Sequence, residues 1–195
     1  MPDFKNSETC LNLMRSFAGE SQAHMRYILF AARAKQEGLH EIEEVFKETA
    51  DNESAHAHIF MKHLHERIGT CSVPVNGEYP VHLGDTKTNL AESALAELDE
   101  TSNVYPTFAK KAREEGFEDI ALSFEMIGQI EQEHEGKFTF YKDELENNTL
   151  FSKDKEVYYR CIHCGYIHKG NDAPKICPNC KHPQGFFKVV QNRYK

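Results

Sequence analysis

The sequence predicts a mainly α-helical protein, in which a four-helix bundle with one long crossover precedes a small four-cysteine module. Four long segments carry apolar residues at three- and four-residue steps, which is the spacing of an amphipathic helix. Residues 69–88 are rich in Gly and Pro and lack this periodicity, so they are expected to form a long connection. Near the C-terminus, four cysteines occur as two Cys-x-x-Cys pairs.

The four predicted helices are separated by two short turns and the long connection. They span about residues 7–37, 40–68, 89–115 and 118–145. Gly38 and Gly116 follow "QE" and "EE" and are expected to be glycine C-caps. Two antiparallel hairpins joined by a long crossover are typical of ferritin-like bundles. Pro106 lies inside the third helix and is expected to kink it or to remove one backbone hydrogen bond there.

The helical part repeats itself at an offset of 78 residues. The stretch "YILFAARAKQEGLHEIEEVF", which begins at Tyr27, aligns with "YPTFAKKAREEGFEDIALSF", which begins at Tyr105. Without a gap, the alignment continues into two Glu-x-x-His pairs, Glu53 with His56 and Glu131 with His134. Two such pairs in register within a repeated hairpin indicate a shared function.

Seven charged side chains are predicted to lie at one level of the bundle, about 22–29 Å from the two turns at a rise of 1.5 Å per residue. They are Glu20, Glu53, His56, Glu97, Glu100, Glu131 and His134. A single helical Glu is most often a solvated surface charge, but a bare layer of this kind would be costly to bury. Cations resolve that cost, and carboxylate with imidazole favours iron or manganese over magnesium or a thiolate-preferring metal.

One irregularity interrupts the repeat. Glu20 precedes Tyr27 by seven residues, whereas Glu97 precedes Tyr105 by eight. A single π-bulge in the third helix would absorb the extra residue, and such bulges often lie at functional sites.

The C-terminal cysteines have the spacing of a metal site. Cys161, Cys164, Cys177 and Cys180 give C-x2-C-x12-C-x2-C, which predicts four thiolates around one ion. This spacing does not distinguish zinc from a single iron. Cys10 and Cys71 lie outside this set and are expected to be plain buried or loop thiols. The polar stretch 146–155 predicts a linker, and hence domains at residues 1–148 and 155–195.

The composition disfavours two classes of protein. The 195 residues include 31 acidic and 23 basic ones, a net charge of −8, whereas a nucleic-acid binder usually presents a basic face. The longest apolar run, "YILFAA", is far below the roughly 20 residues that span a bilayer, and the first residues lack a secretory signal. We therefore expect a cytoplasmic protein with no nucleic-acid or membrane partner, where six cysteines favour metal ligands over disulfides.

Several stretches resemble the rubrerythrin family. "FAGESQAHMRY", "ADNESAH", "YPTFAKKAREEGFEDIA" and "IEQEHEGKF" lie in the helical part, and "RCIHCGYIHKGNDAPKICPNCKHPQGFF" lies in the cysteine part. They follow the family's order and cover nearly the whole chain. The resemblance implies a ferritin-like bundle with a non-haem di-iron centre, followed by a rubredoxin-like domain with one iron on four cysteines. It thereby favours iron over zinc.

The resemblance also implies roles for individual residues. His56 matches a histidine that replaces a carboxylate ligand, here Glu100, when the iron site is reduced. Tyr27 and Tyr105 match tyrosines that hydrogen-bond to site carboxylates, although core aromatics at helical spacing are the alternative. The implied di-iron ligands, with Glu53 and Glu131 as bridges, are Glu20, Glu53, Glu97, Glu100, Glu131 and His134.

The implied activity is that of a peroxidase. Hydrogen peroxide would be reduced to water with two electrons, one from each iron, and the four-thiolate iron would return electrons singly. An electron-donor protein, rubredoxin or an NAD(P)H-dependent reductase, would supply them, since the sequence has no Rossmann glycine fingerprint. The family arrangement is a head-to-tail homodimer in which electrons cross between subunits.

Two other functions stay open. The chain could be a ferritin-like protein that oxidises and binds iron, although iron storage needs no four-cysteine electron supply. It could also carry a structural zinc module on a metal-binding bundle without turnover. A colourless four-cysteine site would rule out the electron relay.

Overall fold

A computed structural model describes residues 3–190 and places four helical stretches ahead of a small sheet. The helices are α1 (Glu8–Gln36), α2 (His40–Ile68), α3 (Thr86–Asp99), α4 (Tyr105–Glu114) and α5 (Glu118–Glu146), with a 3-10 turn at Phe4–Asn6. A π-helical segment, Glu100–Val104, joins α3 to α4. The third predicted helix is therefore built in three parts, and Pro106 lies in the first turn of α4, where a missing N–H is tolerated.

The helices pair as two antiparallel hairpins. Helix α1 packs along α2, and the α3–α4 stretch packs along α5. Gly38 and Gly116 adopt left-handed backbone conformations, with φ of 74° and 85°, which confirms the predicted glycine caps. The crossover from Gly69 to Asp85 contains no helix or strand. Asp85 ends it by accepting a hydrogen bond from the backbone N–H of Thr88 at 2.8 Å, which caps α3.

The two hairpins cap each other's helices. The carboxylate of Glu115, in the second turn, accepts hydrogen bonds from the backbone N–H groups of Glu8 at 3.2 Å and Thr9 at 2.9 Å. Its repeat counterpart Glu37 accepts one from the N–H of Thr86 at 3.2 Å. Each turn carboxylate therefore satisfies free donors at the first turn of a helix in the other hairpin.

The apolar core is also divided according to the repeat. The ring of Tyr27 lies 5.2 Å from that of Phe138, and the ring of Tyr105 lies 5.9 Å from that of Phe60. One cluster packs towards the α1–α2 turn and the other towards the α4–α5 turn. Between them lies the stretch of the bundle that carries the predicted ligands. The most deeply buried rings of the cluster near the α1–α2 turn are Tyr27, Phe30, Phe46 and Phe138. Those of the cluster near the α4–α5 turn are Phe60, Tyr105 and Phe124.

The C-terminal module is a three-stranded antiparallel sheet in the order β2-β1-β3. Its strands are β1 (Ser152–Cys161), β2 (Ile167–Asp172) and β3 (Phe187–Val190). The predicted linker over 146–155 is therefore wrong in its second half. Ser152 pairs with Asp172 and donates its hydroxyl to that carboxylate at 2.6 Å, so the polar residues there belong to an exposed strand. The division into domains at 1–148 and 155–195 stays a prediction.

The module contacts the bundle at the α1–α2 turn. The ring of Phe186 lies 3.8 Å from that of His40, centroid to centroid, and Lys188 forms an ion pair with Glu44 at 2.8 Å. A Cβ atom on Gly185 would overlap the carbonyl oxygen of Gly38. None of the described helices is long and apolar enough to cross a membrane.

Candidate metal centres

Four helices and the π-helical segment bring the predicted ligands together. The ligands on helices are all buried, while Glu100 is half-buried at the start of the π-helical segment. Helix α1 contributes Glu20, α2 contributes Glu53 and His56, α3 contributes Glu97, and α5 contributes Glu131 and His134. The three-residue spacing of each Glu-x-x-His pair puts both side chains on one face of its helix.

Six of these side chains form two overlapping groups. In each group, one ligand atom per residue lies within 4.8 Å of the others. Glu53 and Glu131 belong to both groups, which is the position that a bridging carboxylate requires. The first group is Glu20, Glu53, His56 and Glu131, and the second is Glu53, Glu97, Glu131 and His134.

His56 lies inside the first group. Its Nδ1 is 3.0 Å from Glu53, 2.9 Å from Glu131 and 3.8 Å from Glu20. Glu100 belongs to neither group. The structure therefore has His56 turned towards the two shared carboxylates, Glu53 and Glu131, while Glu100 lies outside both groups.

His134 is tethered by a residue that the sequence analysis did not identify. Its Nε2 lies 3.2 Å from the side-chain oxygen of Asn52, which leaves Nδ1 facing Glu131 at 2.6 Å and Glu53 at 3.2 Å. A second partner on the far ring nitrogen is the usual way to orient a metal-ligating histidine. The repeat gives no signal for this contact, because the position that matches Asn52 is Ile130.

Buried acceptor atoms within residues 3–190 test whether the site fits metal ions. Both oxygens of Glu131, one oxygen each of Glu20 and Glu53, and Nδ1 of His134 are buried without a hydrogen-bond partner. His134 and Glu131 approach closely but do not form a hydrogen bond. Buried acceptors in one place are costly unless something binds them. Their chemistry, carboxylate with imidazole, fits iron.

The pKa values of the ligand side chains also fit a site that binds metal ions. Burial raises the pKa of Glu20 to about 8 and raises that of Glu97 well above its usual range. Burial also opposes ionisation of Glu53, but the imidazoles of His134 and His56 beside it outweigh this effect and lower its pKa to about 2. Despite burial, the surrounding carboxylates raise the pKa of His134 to about 9 and that of His56 to about 12. The layer thus holds protons that cations would displace.

Two tyrosines hold carboxylates of the layer from across the bundle. The hydroxyl of Tyr27 donates to Glu97, and that of Tyr105 donates to Glu20. Both rings are buried, so they also belong to the core, and the two interpretations of these residues are compatible. The hydrogen bond from the tyrosine fixes the orientation of one carboxylate oxygen, while the other oxygen stays free for a cation.

The π-helical segment absorbs the irregularity in the repeat. It runs from Glu100 to Val104, between Glu97 and Tyr105, where the third helix contains one residue more than the first. The predicted π-bulge is therefore confirmed. Because the bulge begins at Glu100, it turns this side chain away from the direction that regular α-helical spacing would give.

The four cysteines form a second site within the sheet module. Sulfur atoms of Cys161 and Cys180, and of Cys164 and Cys177, lie 3.7 Å apart, and all four gather within 4.8 Å. A tetrahedral ion with metal–sulfur bonds of about 2.3 Å would separate its sulfurs by about 3.8 Å. The thiolate state is favoured at Cys164, where hydrogen bonds from Asn179 and the backbone of Tyr166 lower the pKa to about 6. Cys10 is buried and Cys71 is exposed on the crossover, as predicted.

Comparisons with known proteins agree with this architecture. The family model "Rubrerythrin" matches residues 12–141, and "Rubrerythrin, rubredoxin-like domain" matches residues 159–188. Rubrerythrin-1 of Clostridium acetobutylicum and the rubrerythrin of Clostridium perfringens are each 44% identical over 195 residues, with 100% of both chains covered.

Solved structures show the same fold. The structure of fully reduced nigerythrin (all ferrous) has a TM-score of 0.64 and 29% identity, and the match covers 95% of this chain and 90% of that one. The Desulfovibrio desulfuricans bacterioferritin, at a TM-score of 0.66 and 22% identity, covers 74% of this chain and 83% of its own, and shows the bundle fold alone.

The fold, the donor sets and the comparisons agree. The chain carries the Glu/His ligand group of a di-iron centre and a four-cysteine rubredoxin-like site. Members of the matched family are oxidoreductases. This chain belongs to the rubrerythrin family.

Proposed function

We propose that this protein is a peroxidase that reduces hydrogen peroxide to two molecules of water with two electrons and two protons. One observation supports this most: a buried Glu/His group able to hold two metal ions occurs in the same chain as a four-thiolate site. When iron is bound, the bundle centre would supply two electrons together, and the four-thiolate centre would refill it one electron at a time. A storage protein has no use for that second centre.

In this proposal the chain's own residues hold and shield the centre. Glu53 and Glu131 would hold both ions, because they belong to both donor groups. Tyr27 and Tyr105 fix the outer carboxylates of the layer by hydrogen bonds. The aromatic clusters on both sides exclude water from the layer. The full proposed ligand set is Glu20, Glu53, His56, Glu97, Glu100, Glu131 and His134, with Cys161, Cys164, Cys177 and Cys180 at the second site.

The two histidines have different roles in the proposal. His134 is a permanent ligand, and its tether to Asn52 supports that role. His56 would hold the reduced centre in place of Glu100. The structure has His56 in the donor group and Glu100 outside it, an arrangement that fits the reduced form. A neutral imidazole suits ions that have each lost one positive charge better than a carboxylate does.

Electrons would reach the centre from a partner subunit. The four-cysteine module contacts the α1–α2 turn of its own bundle at His40. His56 lies 18 residues beyond Gly38 in α2, which is about 27 Å along the helix. That separation supports a head-to-tail homodimer in which the module of one copy serves the bundle of the other. A rubredoxin or an NAD(P)H-dependent reductase would reduce the module.

Single-turnover reoxidation tests the function. The iron-loaded protein is reduced without oxygen and mixed with one equivalent of hydrogen peroxide, and the absorption of both centres is followed. Reoxidation of the di-iron centre before the four-thiolate iron is expected. If only oxygen reoxidises the protein, it is an iron-oxidising ferritin-like protein and the peroxidase proposal fails.

A cysteine variant tests the electron relay. Cys161→Ser is expected to abolish turnover with an external reductase while leaving a single peroxide reduction by the bundle intact. Cys71→Ser, at an exposed thiol outside both sites, is the matched control and is expected to behave like the parent. Loss of the single reduction in Cys161→Ser would contradict the separation of the two centres.

A further inference from the structure

A cavity of about 270 Å³ leads from the surface to the ligand layer between α1 and the α3–α4 stretch. Glu100 and Tyr105 line it. The hydroxyl of Tyr105 donates to Glu20 of the first donor group. The cavity therefore reaches the side of the layer where Glu100 and His56 would exchange.

Two small residues leave room for this passage. Gly19 and Ala96 both line it, and each directly precedes a layer carboxylate, Glu20 and Glu97, in the two halves of the repeat. Larger side chains at these positions would fill the space between α1 and α3. Glycine inside a helix costs roughly 0.5–1 kcal/mol relative to alanine, so Gly19 is expected to serve access rather than helix stability.

A segment of the crossover covers the outer opening. Tyr79 lies in an otherwise exposed run of residues 74–80 and is half-buried. Its hydroxyl donates to the backbone carbonyl of Arg15 at 3.0 Å, and its ring would lie 3.6 Å from a Cβ on Gly19. A Cβ on Gly77 would lie 2.9 Å from the Tyr79 hydroxyl, so a glycine lets the ring fold back over the opening.

Arg15 holds the covering segment at a second point. Its Nε donates to the carbonyl of Asn76 at 3.2 Å, and its terminal nitrogen donates to the Asn76 side chain at 3.1 Å. The segment is thus fastened to α1 through a few polar contacts, while its backbone forms no helix or strand. Segments of this kind open at low free-energy cost.

We propose that Tyr79 is a specificity-determining residue that slows the entry of small molecules into the passage and excludes larger ones. Hydrogen peroxide has two heavy atoms and fits beside the ring when the segment opens slightly. A hydroperoxide with a bulky organic group needs the whole ring displaced. The substrate part rests on the proposed peroxidase function, whereas the gate itself does not.

Azide binding measures the gate without turnover. Azide is mixed with the oxidised, iron-loaded protein, and the rate of the absorption change is recorded for the parent, Tyr79→Ala and Tyr79→Phe. An open conformation populated at roughly 10% or less limits access in the parent, so Tyr79→Ala is expected to bind azide at least about tenfold faster. Tyr79→Phe keeps the ring and is expected to lie between the two. Equal rates for Tyr79→Ala and the parent would overturn the gate.

Filling the passage is expected to have the opposite effect. Gly19→Leu should slow azide binding, whereas Gly136→Leu, on α5 where nothing lies within 4 Å of an added Cβ, should not. If circular dichroism shows that Gly19→Leu is misfolded, Ala96→Leu is used in its place. An unchanged rate in a folded filling variant would show that azide uses another route, and it would overturn the inference.

Substrate selection separates this inference from the proposed function. In Tyr79→Ala, the rate with cumene hydroperoxide relative to hydrogen peroxide should rise at least about tenfold, because the bulky molecule no longer has to wait for the ring to be displaced. Faster azide binding with no turnover of any peroxide would refute the peroxidase while supporting the gate. Peroxide turnover with an unchanged azide rate and an unchanged substrate ratio would refute the gate alone.

Discussion

The hydroxyl group of Tyr105 donates a hydrogen bond to the buried carboxylate of Glu20, which lies on the other helical hairpin. Its repeat counterpart Tyr27 donates to Glu97 in the same crossed manner. Each hairpin therefore orients a carboxylate that the other hairpin supplies. Neither half of the repeat holds its own share of the donor layer, so the layer depends on correct docking of both hairpins.

Removing one of these hydroxyls should weaken metal binding rather than unfold the bundle. In Tyr105→Phe, the ring still fills the core, but the Glu20 carboxylate loses its donor. Loss of such a supporting contact typically lowers metal affinity about 10–100-fold, which chelator competition measures with ferrous iron. Tyr159→Phe is the control, because that buried hydroxyl donates to the backbone of Asn171 in the sheet module. Equal affinities for the two variants would contradict the prediction.

Much of the donor layer could be predicted because it depends on distances along helices. The spacing of Glu53, His56, Glu131 and His134 from two glycine turns was sufficient to place them at one level, and the structure brings them together. Counting residues also predicted the π-helical segment. Glu100 is different, because regular α-helical spacing does not describe the bulge that begins there. Its role as a ligand stays a prediction.

Contacts between distant helices could not be predicted in this way. The crossed caps of Glu37 and Glu115 join a turn of one hairpin to a helix start of the other, and no local pattern marks them. The linker prediction failed at Ser152 for a related reason. An exposed strand with polar residues resembles a linker in sequence, and only its pairing with β2 distinguishes them.

The cap at Glu115 should make stability depend on pH. Burial opposes its ionisation, but hydrogen bonds from Thr9 and the N–H of Glu8 outweigh this and lower its pKa below the usual 4.5. The stabilisation is therefore complete above about pH 4.5 and is lost as the pH falls through the lower folded-state pKa. Urea denaturation of metal-free Glu115→Gln at pH 7 should show a loss of about 1 kcal/mol relative to the parent.

The difference between Glu115→Gln and the parent should shrink as the pH falls through the folded-state pKa of Glu115, because the parent's carboxylate then becomes protonated and loses its charge. Glu92→Gln, at an exposed position of α3, serves as the matched control and should change stability little across the same pH range. A pH-independent difference in Glu115→Gln would mean that its charge does not cap α1.

The contact between module and bundle should depend on the absence of a side chain at residue 185. In Gly185→Ala, the new methyl group would overlap the carbonyl oxygen of Gly38, so the module should detach from the α1–α2 turn. Limited proteolysis is expected to cut between residues 147 and 151 faster than in the parent. Gly136→Ala adds a methyl group in open space and should leave that cleavage rate unchanged. A parent-like rate in Gly185→Ala would show that the contact does not restrain the module.

The asymmetry between the two Glu-x-x-His pairs should be traceable to Asn52. This side chain tethers the far ring nitrogen of His134, while the matching position carries Ile130, whose side chain cannot accept a hydrogen bond. Asn52→Leu removes the tether while keeping the same number of side-chain heavy atoms. Because an untethered imidazole is less well oriented, affinity should fall about 10–100-fold in both the oxidised and the reduced state.

His56 should respond differently to the same kind of measurement. His56→Ala is expected to lower affinity for ferrous iron only, since Glu100 would hold the oxidised centre in its place. Chelator competition in both oxidation states measures the metal affinities of His56→Ala and Asn52→Leu. The control is Ile130→Leu, a change at the repeat position that matches Asn52. If Asn52→Leu weakens binding in the reduced state alone, then His134 also exchanges, and the two halves of the repeat are equivalent after all.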